Sequence, residues 1–411
     1  MNRVRGVVRA TLEPVIVVPL LLAGCASPSP ASSLEPSESP PSGPVATGAV
    51  GPTVAAGFDL GDIVWVYTPP PSTLGGPNGA FRLEAGTLAA DEPIVNLQIP
   101  WRAELVEGIA RDPAIGAPHD GAVVYVADDA LASEVHRVEI VADGRDEVLA
   151  RLDEVIWDIV VAPDGSAAYA AVSDRADQTR DLGVVRIALD GSGGVEPILP
   201  PAQPAAADAV RRVATVASQV HLAISSDGKH LVRHTCQNAG TCLMEVADLA
   251  TGRTVELPDR EVLGVVSGLI VARGCHGPGC GLHVIDLETQ AVASAGVDIS
   301  GHLVEVDGEP VVVAVFLDGR GLFTVEAVNP ISGRRQVLHR VAAGTDVLYS
   351  DFLFLQLDLP EGLVHMIEVT PGGDGAAASR ERHLLISIEE RRAVEVPRPA
   401  FTQPCGPGCH G

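Results

Sequence analysis

The sequence predicts an all-β protein, and three observations carry that expectation. From about Gly57 onward, short β-branched runs alternate with Gly, Asp and Pro turns, the pattern of strands joined by tight loops. A strand–turn–strand unit recurs seven times along this region. Long helical periodicity is missing, with Ala205 to Val216 as the one candidate helix.

The seven copies begin with Phe81-Arg82-Leu83 turning to Ile94-Val95, and His136-Arg137-Val138 turning to Val148-Leu149. Val185-Arg186-Ile187 then turns to Ile198-Leu199, Met244-Glu245-Val246 to Val255-Glu256-Leu257, and His283-Val284-Ile285 to Val292. Phe323-Thr324-Val325 to Val337-Leu338 and Leu385-Ile386 to Val394-Glu395-Val396 complete the series. Equivalent positions (Leu83, Val138, Ile187, Val246, Ile285, Val325, Ile386) lie between 39 and 61 residues apart, about 50 on average. That is the spacing of a four-stranded propeller blade. One such sheet cannot bury both of its faces, so seven copies stack radially around a channel. The expectation is a β-propeller of seven four-stranded blades, with six or eight blades as alternatives. A β-sandwich or a pair of smaller β-domains is the competing architecture. The first blade lacks an evident innermost strand.

Two phrases punctuate the clearest copies. Asp248-Leu249-Ala250-Thr251-Gly252 and Asp286-Leu287-Glu288-Thr289 follow a strand, while Ala162-Pro163-Asp164-Gly165 and Ser225-Ser226-Asp227-Gly228 precede one. Glycine tolerates the positive φ such turns require. On these residues the chain resembles the TolB-type, WD40-like propeller repeat, closely over Trp157 to Leu199 and Val220 to Leu257 and by rhythm elsewhere.

Ahead of this region lies a different chemistry. Arg3, Arg5 and Arg9 precede the apolar run Val15 to Ala23. That run spans ~14 Å as a helix, about half a hydrocarbon core, which suits a removable signal peptide. Leu22-Ala23-Gly24-Cys25 resembles the lipobox of bacterial lipoproteins. The resemblance implies cleavage before Cys25 and lipidation (palmitate among the acyl groups) of its thiol, with two or three chains needed for stable attachment. Residues 26 to about 52 are dominated by Pro, Ser, Ala and Gly, too apolar-poor to offset their ordering entropy. The expected organisation is a signal peptide over 1–24, a lipidated cysteine and disordered linker over 25–56, the propeller over 57–398 and a cysteine-containing tail over 399–411.

The chain has 28 basic and 53 acidic residues, a net charge of −25. Such a charge repels nucleic acid and anionic headgroups. The pairs Arg334-Arg335 and Arg391-Arg392 read as solvated turn residues. Six cysteines beyond Cys25 form three close pairs: Cys236/Cys242, Cys275/Cys280 and Cys405/Cys409. In an exported chain an even count reads as disulfides. The first two pairs flank hairpin mouths, where facing cysteines reach bonding distance. The competing reading is a zinc or c-type haem site built from Cys275-His276, His283 and Cys405 to His410. The c-haem signature places two residues between its cysteines, and this chain has three to five. Structural zinc needs reduced sulfurs.

His230 and His234 lie on one strand about 13 Å apart, too far for one ion to bridge. Trp65, Tyr67 and Phe81 fit blade packing better than a sugar-stacking platform. Nucleophile-elbow, zincin and phosphate-loop motifs are absent from the sequence. The expected function is therefore a membrane-anchored, extracytoplasmic lipoprotein whose propeller binds or scaffolds a protein or envelope partner, without a cofactor. The alternative is a propeller hydrolase, lactonase-like or glycan-cleaving, with a structural or central Ca²⁺ held by single acids from several blades. A two-lobed solute receptor is disfavoured because its alternating helices are missing.

Overall fold

The computed structural model describes residues 59–68, 80–101, 113–129, 131–176, 180–201, 219–236, 242–258, 260–276, 279–289, 291–294, 299, 301–317, 322–349, 355–370 and 380–400. The candidate helix at 205–216, Cys25, Cys405 and Cys409 lie outside them. Every strand pairing is antiparallel, and no helix occurs among the described residues.

The strands form seven sheets, each a blade. In the first, β1 (Val64–Tyr67), β2 (Ala80–Thr87) and β3 (Val95–Pro100) run outward. The second holds β4 (Ala122–Asp128), β5 (Ser133–Glu139) and β6 (Asp146–Leu152). Its inner edge is covered by residues 114–116: Gly116 N–H donates to Val124 O (2.8 Å) and Val126 N–H to Ala114 O (3.0 Å). The third comprises β7 (Val155–Val161), β8 (Ala167–Ser173), β9 (Asp181–Ala188) and β10 (Val195–Leu199). The fourth comprises β11 (Gln219–Ile224), β12 (His230–Cys236), β13 (Cys242–Asp248) and β14 (Thr254–Pro258).

The fifth blade is β15 (Arg260–Val266), β16 (Leu269–His276), β17 (Gly279–Asp286) and β18 (Val292–Ser294). The sixth is β19 (Gly301–Val306), β20 (Glu309–Leu317), β21 (Phe323–Val328) and β22 (Arg335–Arg340). The seventh is β23 (Asp346–Tyr349), β25 (Leu363–Thr370), β26 (Arg380–Ser387) and β27 (Arg392–Val396). Between its first two strands the chain leaves to make β24 (Leu355–Leu357), which pairs with β1 (Trp65↔Leu357, Tyr67↔Leu355). β24 is the innermost strand the first blade lacked, and it closes the ring. First strands of neighbouring blades lie side by side, β7 against β11 and β15 against β19, so they line the channel. The seven recurring hairpins of the sequence are the third and fourth strands of the seven blades.

Each turn phrase has a physical role. Asp248 accepts the N–H groups of Ala250 and Thr251, both at 2.9 Å, and Gly252 takes φ +69°. Asp286 accepts Thr289 N–H at 2.7 Å. These backbone donors hold both carboxyls below the usual carboxylate range. Asp120-Gly121 and Asp307-Gly308 put two successive residues at positive φ, the primed-turn geometry that matches strand twist.

Strand alternation sends successive side chains to opposite neighbours. On β26, Leu384 and Ile386 pack with Val313 and Val325 of the sixth blade, while Leu385 packs with Trp65, Leu355 and Ile367 at the seam with the first. Each fully buried side chain of this kind contributes roughly 1.5–3 kcal/mol. Trp65, Tyr67 and Phe81 are buried, and Trp65 donates Nε1–H to Thr87 O at 3.0 Å. A Cβ at Gly86 would stand 2.9 Å from the Trp65 ring, so the indole occupies the space glycine leaves. These aromatics are packing residues and present no stacking platform.

Candidate functional site

The ring has two unlike ends. At one, the chain turns between first and second strands through short segments: five residues after β7 and after β11, two after β15 and after β19. Polar contacts tie these turns together. The Ser226 hydroxyl, beyond β11, donates to Glu305 on β19, and Asp307 N–H donates to Glu361 Oε1 at 3.0 Å. Asp358, leaving β24, stands near His119 and Asp120 of the second blade, and burial raises its carboxyl pKa.

The other end carries the connections from second to third strands and between blades. The longest connections are of these kinds, 12 residues between β1 and β2, 19 between β10 and β11 and 9 between β25 and β26, although β14 leads to β15 through one residue and β16 to β17 through two. Both internal cysteine pairs sit here. Backbone register sets Cys236 opposite Cys242 and Cys275 opposite Cys280, at matching hairpins of the fourth and fifth blades.

Arginine clasps brace the blades near this end. Arg175, following β8, reaches back to the second blade. It donates to Asp153 O (2.7 Å), Asp129 O (3.0 Å), Asp128 Oδ1 (3.0 Å), Ser133 Oγ (2.9 Å) and Glu154 O (2.8 Å). Arg233 on β12 is buried at 2% exposure. Its Nε donates to Glu245 on β13 at 2.7 Å and its Nη1 to Pro200 O at 3.0 Å, with Asp181 at 3.5 Å. A buried guanidinium needs this many acceptors to offset its lost hydration.

On the channel side, Asp158 on β7 lies 4.0 Å from His221 on β11, whose ring is 6.3 Å from that of His234. The sequence singled out His234 with His230, four residues along one strand. The histidine beside His234 is instead its cross-strand partner His221, which no local spacing announces. Asp158 also accepts Leu222 N–H (2.7 Å) and Ile159 N–H (2.8 Å), so it ties the third blade to the fourth. Among the described residues no three His, Cys, Asp or Glu side chains gather where they could hold a metal ion. His283 bonds Gly274 O through Nε2 at 3.2 Å.

A second histidine pair lies at the ring's seam. His365 on β25 and His383 on β26 are both 2% exposed. His383 Nδ1 is 3.2 Å from His365 Nε2, and the rings stack at 5.2 Å. Burial, then the neighbouring His383, pushes His365 down to about 3. Burial, then the charge of Arg398, pushes His383 down to about 4.

The architecture defines a seven-bladed β-propeller protein, with TolB-like proteins among its structural neighbours. The chain is similar to TolB from Acinetobacter baumannii at 13% identity, with 79% of this chain and 78% of that one covered and a TM-score of 0.38. It is similar to a puromycin-hydrolyzing peptidase of Mycobacterium tuberculosis at 17% identity, covering 86% of this chain, with a TM-score of 0.48. That match takes in about half of the peptidase, 53%. An oligogalacturonate lyase from Vibrio parahaemolyticus matches at 10% identity over 82% of this chain and 86% of that one, with a TM-score of 0.43. These likenesses concern the fold alone. No protein-family model matches the chain, and no curated protein matches it significantly.

Proposed function

We propose that the chain is an exported lipoprotein, anchored through Cys25 on the extracytoplasmic face of a membrane, whose propeller is a binding module for a protein or envelope partner. The observation that carries this reading is the asymmetry of the ring. Short turns knit one end together, while the longest connections leave from strand ends at the other, where the arginine clasps lie. Variable loops on a rigid scaffold are the usual place for recognition. Disulfides at Cys236/Cys242 and Cys275/Cys280 fit the same reading, since each would pin a loop at that end.

Two experiments test it. Cys25→Ser is expected to move the protein from the membrane fraction to the soluble fraction; persistence in the membrane refutes lipidation at that residue. For the binding module, replacing residues 202–218 by a five-residue Gly-Ser linker is expected to abolish cross-linking to the partner while the ring stays folded. Unchanged cross-linking places recognition elsewhere.

The hydrolase alternative has one specific observation in its favour, the channel-side trio Asp158, His221 and His234. Loss of a hydrolytic activity in His221→Ala, with melting temperature unchanged, supports it; activity that survives this change removes the trio from any mechanism.

A further inference from the structure

Most described arginines are engaged by acids: Arg82 by Glu84, Arg151 by Glu134, Arg186 by Glu196, Arg233 by Glu245. Arg335 is exposed, as its sequence context suggests, but it opens β22 and is bound to Glu326 at 2.8 Å and stacked 3.6 Å from the Phe316 ring. Others, among them Arg253, Arg334 and Arg380, have no acidic partner among the described residues, and at the outer rim between the sixth and seventh blades three such arginines line one groove.

An open groove of about 560 Å³ runs there, with Leu338, Arg340, Arg382, Arg391, Arg392 and Glu395 in its walls. Arg382 is fixed, donating to Glu368 at 2.7 Å and to Glu395 at 2.9 and 3.0 Å. His339 shares buried Glu368, with its Nε2 2.8 Å from Oε1. Arg340, Arg391 and Arg392 are exposed, and none has an acidic partner among the described residues. Four guanidinium groups against Glu368 and Glu395 leave two net positive charges, on a chain of net −25. Glu389 and Glu390 share the Arg391 turn but do not line the groove. Arg391 takes φ +54°, a conformation costly for a residue with a Cβ.

The groove's walls include β22 and β27, the outermost strands of their blades. Among the described residues no further strand pairs with the outer edge of either, and an unpaired edge is a ready template for another strand. Guanidinium forks match carboxylates in two-point geometry. We propose that this groove binds an extended acidic peptide segment of another protein, which pairs with a strand edge while its carboxylates meet Arg340, Arg391 and Arg392. The site is built from β22, β26, β27 and the turn between the last two and uses none of the long connections, so it goes beyond the loop-end reading and stands or falls independently of it.

The test uses the full chain in mild detergent and a fluorescent octapeptide of alternating Glu and Val. Fluorescence anisotropy is expected to show binding that weakens with salt and is at least tenfold weaker for the Gln-Val counterpart. R340Q/R391Q/R392Q is expected to lose at least tenfold in affinity with its melting temperature unchanged. Should that variant not fold, R340Q and R391Q are read singly, with a severalfold loss expected from each. Backbone N-methylation of the peptide is expected to weaken it comparably. Arginine-independent binding, or no binding at millimolar peptide, overturns the proposal. Equal arginine-dependent binding of inorganic phosphate, of phosphatidylglycerol vesicles or of the N-methylated peptide overturns it too, in favour of a general oxyanion site.

Discussion

The third and fourth blades meet through Arg233, and the sixth and seventh meet beside Arg340, Arg391 and Arg392. The same side chain is used in opposite ways. Arg233 is buried and bonded to Glu245, Pro200 O and Asp181, so its charge braces the ring and is hidden from ligands. The three groove arginines are exposed and lack acidic partners, so their charge adds little to the fold and remains available. In a chain this acidic, three arginines without a carboxylate in one groove carry more information than any one of them alone.

The largest expected effect is on the bracing side. Arg233→Met leaves Glu245 buried without its partner and is expected to destabilise by about 3–5 kcal/mol in urea denaturation, with Arg233→Met/Glu245→Leu recovering much of the loss. Arg175→Gln removes most of a five-acceptor clasp and is expected to cost roughly 2–3 kcal/mol. A cost no larger than that of an exposed arginine would erase the distinction between the two regions.

The seam histidines sharpen the comparison through pH. His365 and His383 are neutral in the fold because their pKa values are pushed down to about 3 and about 4. The unfolded chain takes up protons below about 6.5 and the fold does not, so stability is full above that pH. It falls as pH drops toward about 4, by up to ~1.4 kcal/mol per unit for each histidine. In His365→Phe, the loss of unfolding free energy between pH 7 and pH 5 is expected to shrink by about 2 kcal/mol; an unchanged loss would show that His365 is protonated in the fold. The smallest effect belongs to the groove: R340Q/R391Q/R392Q should alter stability by no more than about 0.5 kcal/mol.

Much of the fold was legible because each blade repeats a local rule. Asp248 and Asp286 cap their turns with carboxylates, and apolar runs recur on either side of such turns, so seven third-and-fourth-strand pairs could be read directly. β24 could not be read: Leu355-Gln356-Leu357 is too short to show a period, and its partner β1 lies at the far end of the chain. The missing innermost strand of the first blade was visible only as a gap. The cysteine register was foreseeable for the same reason as the hairpins, since Cys236↔Cys242 and Cys275↔Cys280 are local pairings. His221 beside His234, and Arg340 in one groove with Arg391 and Arg392, depend on neighbours set by sheet and ring. Nothing in the local spacing reports them.

The most direct test of the division between bracing and binding arginines is urea unfolding with and without saturating Glu-Val octapeptide. A ligand that binds only the fold raises the unfolding midpoint in proportion to its occupancy. The account predicts a raised midpoint for the wild-type chain, an equal rise from a lower baseline for Arg233→Met, and no rise for R340Q/R391Q/R392Q. A rise in the triple variant matching that of the wild type would contradict it.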